Sequence, residues 1–504
     1  MEQSPFNTEG QQLRGSMNGF KITLCWLAAV FALTPVAGGA DGASSAKTVA
    51  YPKPYVYKER GLGRNAEFTL NKSGVLPGWL SLAVQQRTRY ETLDRAFRSG
   101  STGSDQVLAL RTLAQATLHL PQHFKVQLEL QDSRAYWNDT GSVVNNTIVN
   151  AAELLETNLQ WRAEDLFQNG SRTLLRAGRM TMDFGKRRLV ARNRYRNTKN
   201  AFTGIDGIWQ AGNGNQIRAM AALPVNRLPT NTTQLLDNEA ELDEESPDTV
   251  FWGVFLSTPH LPWSGRDRGE VYLFGLHEED GDFATRNRRL YTPGLRLYRP
   301  RKTSHFDYEW ETVFQFGTSR SSAGIGNTRD LDHFAHFHHV EAGYSFAAAW
   351  SPRLVLAYDY ASGDSNPNDN KNGTFNSLFG ANVFDYGPTT IHRAFVRSNI
   401  TGPAVKLHVQ PHSKIKAALH YRAFWLASST DTWTGNSGLR DTTGQSGSFL
   451  GQLIYLSGAW QVTPNVWLEA GTAHRIDGEF QDNVAGSPRQ GNSTYSYIAA
   501  TLSF

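Results

Sequence analysis

From about residue 78 onward, apolar and polar side chains alternate in segments of roughly ten residues separated by turns. Leu80, Leu82 and Val84 oppose Ser81, Ala83, Gln85, Arg87 and Arg89. Leu108, Leu110, Ala114, Ala116, Leu118 and Leu120 oppose Arg111, Gln115, Thr117 and His119. Phe124, Val126, Leu128 and Leu130 oppose Lys125, Gln127, Glu129 and Gln131. Further on, Phe306, Tyr308, Trp310, Phe314 and Phe316 oppose Asp307, Glu309, Glu311 and Gln315. Ile415, Ala417, Leu419, Tyr421 and Trp425 oppose Lys414, Lys416, His420 and Arg422. A period of two is that of a β-strand whose faces meet different surroundings. At the end of the chain, Ile498, Ala500, Leu502 and Phe504 share one face, and Tyr497, Ala499, Thr501 and Ser503 the other. That segment reads as the closing strand of a bacterial outer-membrane β-barrel. Tyr495 and Tyr497 are expected at the membrane interface.

The connections alternate in length. Short ones fall at 121–123, 262–268, 300–305, 351–353, 410–413 and 464–465. Long polar ones fall at 135–150, 225–248, 319–332, 362–390, 428–447 and 477–493. Short periplasmic turns facing long extracellular loops produce this asymmetry. The pattern predicts an all-β, transmembrane antiparallel barrel of about 18 strands with both ends in the periplasm. A barrel of that size encloses an aqueous lumen.

The start of the chain agrees. Lys21 precedes an apolar run at residues 22–33, and Pro35 and Gly38-Gly39-Ala40 follow. This is the order of a secretory signal peptide, with cleavage expected after Ala40. Met17 is a plausible true start. The expected division is therefore a signal peptide at 1–40, a periplasmic lead-in at 41–77 and the barrel at 78–504. Cys25 is the only cysteine and lies inside the apolar run. Disulfides and thiolate metal sites are thereby excluded from the mature chain. A mean hydropathy of −0.45 would suit a water-soluble protein. It also suits a barrel, in which half of each strand faces the lumen. The net charge of +4 matters less than where the charges lie.

Strand parity puts a row of bases on the lumen face: Arg87, Arg89, Arg111, Lys125, Arg162, Arg176, Arg218, Lys406, Lys416, Arg422 and Arg475. Glu129, Asp307, Glu309 and Glu311 share that face and are expected to hold some of the bases in place. Nine Lys or Arg fall between Arg172 and Arg196. Such a segment is either a solvated loop or one folded toward the lumen, with Arg188 and Arg192 near a constriction. The guanidinium fork matches carboxylates and stays charged. Asp364, Asn366 and Asn368 partly mimic a calcium loop, but no bidentate Glu follows at the required offset. They read first as a solvated turn. His336 and His338 share one strand face and His333 and His339 the other, which splits any metal site. The acidic run from Glu239 to Asp248 reads as a solvated face. No Gly-x-Ser-x-Gly, His-Glu-x-x-His or phosphate-binding loop occurs. No enzyme, cofactor or nucleic-acid partner is expected.

Several stretches together resemble the alginate export family of outer-membrane porins. They are Gly178-Arg179, then Gly185-Lys186-Arg187-Arg188-Leu189-Val190, then Asn197-Thr198 and Phe202-Thr203-Gly204. Phe306-Asp307-Tyr308-Glu309, Tyr358-Asp359-Tyr360 through Asp364, and Tyr421-Arg422 through Ser428 are similar too. The resemblance implies a monomeric barrel of about 18 strands whose electropositive lumen passes a polyuronate. Near Gly451 the family carries acidic residues where this chain has Leu453 and Tyr455. The expected function is passive export of an anionic polysaccharide. The expected partners are that polymer, outer-membrane lipid and lipopolysaccharide, the barrel-assembly machinery and periplasmic export proteins. Rival readings are an uptake porin for small acidic nutrients or sugars, an outer-membrane hydrolase and a surface adhesin.

Overall fold

A computed structural model describes residues 76–504 except 101, 102, 282 and 325. The expected signal peptide lies outside these residues, as does the lead-in up to residue 75.

The alternating segments form eighteen long strands. They are β1 (Leu80–Asp94), β2 (Asp105–His119), β3 (Phe124–Tyr136), β4 (Asn150–Glu164), β5 (Arg172–Met180), β6 (Phe202–Gln210), β7 (Gln216–Asn226), β8 (Thr249–Thr258) and β9 (Arg268–Glu278). The second half holds β10 (Arg289–Arg299), β11 (Phe306–Ser319), β12 (Leu331–Ser345), β13 (Arg353–Ala361), β14 (Ile400–His412), β15 (Ile415–Trp425), β16 (Phe449–Gln461), β17 (Val466–Asp477) and β18 (Ser493–Ser503). Each pairs antiparallel with the next, and β18 closes on β1 from Gln85↔Ser503 to Asp94↔Thr494. Closure removes every free edge, the only way a sheet can cross lipid. Two-residue pieces at Glu244–Glu245 and Lys371–Asn372 pair with the rim ends of β7 and β12.

The burial pattern inverts that of a water-soluble protein. Leu128, Leu130, Ile205, Phe314, Phe334, Leu356 and Ile498 point outward and are exposed. Gln85, Arg87, Arg89, Glu129, Gln131, Glu309 and Glu311 point inward and are buried. Leu130 lies mid-strand and is 56% exposed. Leu130→Arg should cost roughly 2–4 kcal/mol in a lipid bilayer. Denaturant unfolding of the bilayer-embedded protein measures this, and a negligible cost would place Leu130 away from acyl chains.

The tyrosines of β18 depart from the sequence expectation. Tyr495 is wholly buried, and its hydroxyl lies 3.1 Å from that of Tyr195. Tyr497 is half-buried, and its hydroxyl lies 3.2 Å from that of Tyr455. Both share the inward parity of Ala499, so they face the lumen and not the membrane interface. A segment inside the barrel supplies the apolar surface that covers them.

Where β5 ends, Gly178 has φ +117° and the backbone of Thr157 close against it. Only glycine fits there without strain. The break in alternation lets Arg179 as well as Arg176 reach carboxylates: Glu153 at 2.5 Å and Glu245 at 2.9 Å for Arg179, and Asp206 at 2.6 Å for Arg176.

Candidate functional site: the lumen constriction

Two connections turn into the barrel. The first is 181–201, between β5 and β6, and the second is the later part of 362–399, between β13 and β14. They meet at a parallel bridge, Val190 to Phe379, with Phe379 N donating to Leu189 O at 2.9 Å and Ala381 N to Arg187 O at 2.9 Å. Phe202, Phe251 and Phe379 pack edge-on and tilted around this seam. The main apolar cluster thus lies inside the lumen, where the inward segments meet the wall.

Charge fixes the seam to the wall. Arg188 donates to Glu309, to Glu311 at 2.5 Å and to Asp385 at 2.9 Å. Arg397 donates to the same Asp385 at 2.6 Å. Burial alone would raise the Asp385 carboxyl, but the Arg188 charge, with His339, Arg397 and Lys406, holds it well below the carboxylate range. Glu309 also takes Arg296 at 3.0 Å and Lys186 at 3.3 Å. On the opposite wall, Arg192 donates to Glu129 at 2.6 Å and Glu156 at 2.7 Å. Residues 181–201 thus turn inward, and Arg188 and Arg192 lie buried against wall carboxylates.

The strand bases fall into two groups. Arg87 and Arg111 face each other in register, a like-charge pair that would repel. Backbone oxygens of the first inward segment answer them. Arg87 donates to Tyr195 O at 3.0 Å and Arg196 O at 3.1 Å, and Arg111 donates to Arg196 O at 3.1 Å. Arg89 donates to Tyr195 O at 2.7 Å and to Glu91 at 2.6 Å. Arg176 and Arg218 share Asp206. Lys406 pairs with Glu341 at 3.2 Å, Arg422 with Asp359, and Arg475 with Asp477 at 2.5 Å. Asp307 pairs with Arg353. Arg87, Arg89 and Arg111 hold the first inward segment, while the pairs at Lys406, Arg353 and Arg475 join side chains of the wall itself. Lys125, Arg162 and Lys416 differ. They lie near the short-turn rim, half-buried or exposed, and no carboxylate among the described residues is within ion-pairing distance.

The segments leave another set of side chains half-exposed: Lys186, Arg187, Arg194, Arg196 and Arg393. Arg187 lies over the Phe384 ring at 5.4 Å, and Arg194 pairs with Asp183 at 2.6 Å. Residues 181–201 carry seven bases and one acid.

Asp385, Arg393 and Arg397 were not among the residues the sequence singled out. Their only signal is a long loop rich in apolar types, Ile391, Ala394, Phe395 and Val396, which a solvated loop would not carry. Asp364, Asn366 and Asn368 form a ladder of Asx turns. Asp364 accepts from Asn366 N at 3.3 Å, and Asn366 accepts from Asn368 N at 3.2 Å. His333 and His339 point inward and are buried, while His336 and His338 share the outer face, 3.0 Å apart. Leu453 and Tyr455 are buried on the lumen side.

His392, in the second inward segment, packs against Phe97 and Tyr495. Burial pushes it down to about 4, with Arg475 adding to the effect against a hydrogen bond to Pro388 O. The folded value is below the unfolded one of about 6.5. Its contribution, about 3 kcal/mol, is therefore present above pH 6.5 and lost as pH falls toward 4. The second segment should loosen over that window. Hydrogen exchange of residues 387–399 at pH 7 and pH 4 measures it, and unchanged protection would contradict it.

A closed barrel with a polar, segment-narrowed lumen is an outer-membrane channel. The chain matches the alginate export family over residues 78–493 and belongs to that family. No curated protein sequence matches it. Among solved structures, Pseudomonas aeruginosa OccD3 (OpdP) is similar in fold, with TM-score 0.52 and 12% identity over 85% of this chain and 92% of that one. Pseudomonas aeruginosa OccK9 (OpdG) gives 0.55 and 11% over 84% and 98%. Pseudomonas aeruginosa OpdK, solved with vanillate, gives 0.53 and 11% over 84% and 98%.

Proposed function

We propose that this channel passes an anionic carbohydrate, an alginate-like polyuronate, outward and passively. The observation that carries the reading is the charge left half-exposed on residues 181–201 and 376–399, where five cations stand beside one acid, Asp183. Lys186, Arg187, Arg194, Arg196 and Arg393 are all cations, and the free bases Lys125, Arg162 and Lys416 stand toward the other mouth. Charge of one sign in a low-dielectric wall concentrates ions of the other. Conduction also needs each contact to be weak and repeated, so that no single site traps the chain. The paired arginines of the wall then serve as scaffold, and the segment cations as the surface the polymer touches.

Purified protein in a planar bilayer tests this. A short oligouronate should interrupt the current, and a neutral oligosaccharide of equal length should not. Equal block by both would defeat the reading.

The two segments that turn into the lumen favour a second reading, uptake of small acidic nutrients. The OpdK structure holds vanillate, a compact carboxylate. On that reading vanillate would compete for the current at concentrations where the oligouronate does nothing.

A further inference from the structure

We infer that Arg196, Arg227 and Arg393 form a discrete binding site for one compact oxyanion, a carboxylate or a phosphate group, set off the strand wall between the two inward segments and the connection after β7.

Three chain segments meet there. Arg196 belongs to the first inward segment, Arg393 to the second, and Arg227 to the start of the connection after β7. Arg196 Nη2 and Arg227 Nη1 both donate to one oxygen, Asn200 Oδ1, at 2.6 Å and 2.9 Å. Two guanidinium groups on one amide oxygen lie within a few ångströms of each other. Their remaining bonds are few. Arg227 also donates to Asn146 O at 2.9 Å and Lys199 O at 3.3 Å. Turned to suit its neighbours, the Asn193 amide oxygen accepts from Arg196 at 2.8 Å and 3.1 Å. Arg196 Nη1, Arg227 Nη2 and the whole Arg393 fork have no acceptor among the described residues.

Direct ion pairing is missing. No carboxylate among the described residues lies within ion-pairing distance of any of the three. Asp243 is the acid that acts on Arg227, and its Oδ1 is already spent on Leu228 N at 2.9 Å and Asn150 Nδ2 at 2.6 Å. The Arg196 guanidinium is held well below its ordinary range by burial and by the Arg227 and Arg393 charges. Arg227 is pushed down by burial and by Arg393, and Arg393 by burial. Arg227 meets two backbone carbonyls, whereas Arg196 meets only the amide oxygens of Asn193 and Asn200, and Arg393 meets no acceptor among the described residues.

The backbone around Arg393 is held in place. Arg393 has φ +33° and Thr390 φ +74°, a conformation L-residues rarely adopt. Asn436 secures it, donating through Nδ2 to Ile391 O at 2.9 Å and to His392 O at 3.2 Å. A single oxyanion would take the free donors in charge-assisted bonds and relieve the repulsion. It would also tie the three segments to one another. The site depends on the channel reading only in that a solute must reach it through the lumen.

The test uses the full-length protein in detergent at constant ionic strength. Calorimetric titrations are run with sodium phosphate and with D-glucuronate, on wild type, R393Q, R227Q and the exposed control R266Q. A heat-modifiable gel shift confirms the folded barrel, and R393K tests charge without the fork. Saturable binding of either probe, weakened about tenfold in R393Q and R227Q and unchanged in R266Q, supports the site. Phosphate alone identifies a phosphate site, and glucuronate alone identifies one that reads the uronate unit. No saturable binding, or binding that R393Q and R227Q leave intact, overturns it. Loss of this site with oligouronate block retained leaves the channel reading standing. Saturable binding without oligouronate block retains the site and defeats the polyuronate.

Discussion

Replacing Arg188 with Met should release the constriction while leaving the barrel closed. Arg188 is 2% exposed and is the shared partner of Glu309, Glu311 and Asp385. Removing one partner of a buried ion pair costs roughly 3–5 kcal/mol, because the carboxylates stay behind without compensation. Arg296 still answers Glu309 and Arg397 still answers Asp385. Glu311 keeps the Tyr272 hydroxyl at 2.6 Å and loses its arginine, so the seam should part from the wall at Glu311 first. The strands keep their own backbone ladders and should not follow. Single-channel recording should show higher conductance and more frequent open events than in wild type. Unchanged conductance in a folded R188M barrel would mean that this lock does not set the bore.

The second large effect concerns charge. Replacing Lys186, Arg187 and Arg393 together with Gln removes three of the half-exposed cations while sparing the buried pairs at Arg188 and Arg192. Anion preference should fall, and association of an oligouronate should slow by roughly tenfold or more, as expected when a steering field is removed. The effect should shrink at high salt, where the Debye length is about 3 Å. Reversal potentials across a salt gradient measure the preference. A variant as anion-selective as wild type would return the selecting role to the wall or to the free bases of the short-turn mouth.

The barrel was legible because a lipid-exposed wall forces period-two patterning on every strand, and no other surroundings ask for it so often along one chain. Strand count, closure, face assignment and the loop asymmetry all follow from that single constraint. The first inward segment was legible only as one of two alternatives, because its run of bases suits a solvated loop as well as a segment paired with acids. The second was not. Ile391, Phe395 and Val396 carry no strand period, and their burial depends on Phe424 and Trp433, more than twenty residues onward in the chain. Which acid meets which base was equally out of reach, because pairs such as Arg188 with Asp385 join residues almost two hundred positions apart. Tyr495 shows the limit of reading a face without its neighbours. It was expected at the membrane interface, yet it faces the lumen and its surroundings come from Tyr195 on a distant segment.

That difference changes the role of the arginine row. Arg87, Arg89 and Arg111 hold the carbonyls of residues 194–196, so they position the segment that narrows the lumen. The cations left for a passing carboxylate lie on the segments themselves and toward the short-turn mouth.

Efflux from proteoliposomes tests that division of labour most directly. Vesicles carrying the purified protein are loaded with an oligouronate or with a neutral oligosaccharide of the same length, and the two release rates are compared. The oligouronate should leave faster, and its advantage should vanish when Lys186, Arg187 and Arg393 are neutralised. Equal release of both sugars, or an advantage untouched by those substitutions, would contradict a lumen that selects by its segment-borne positive charge.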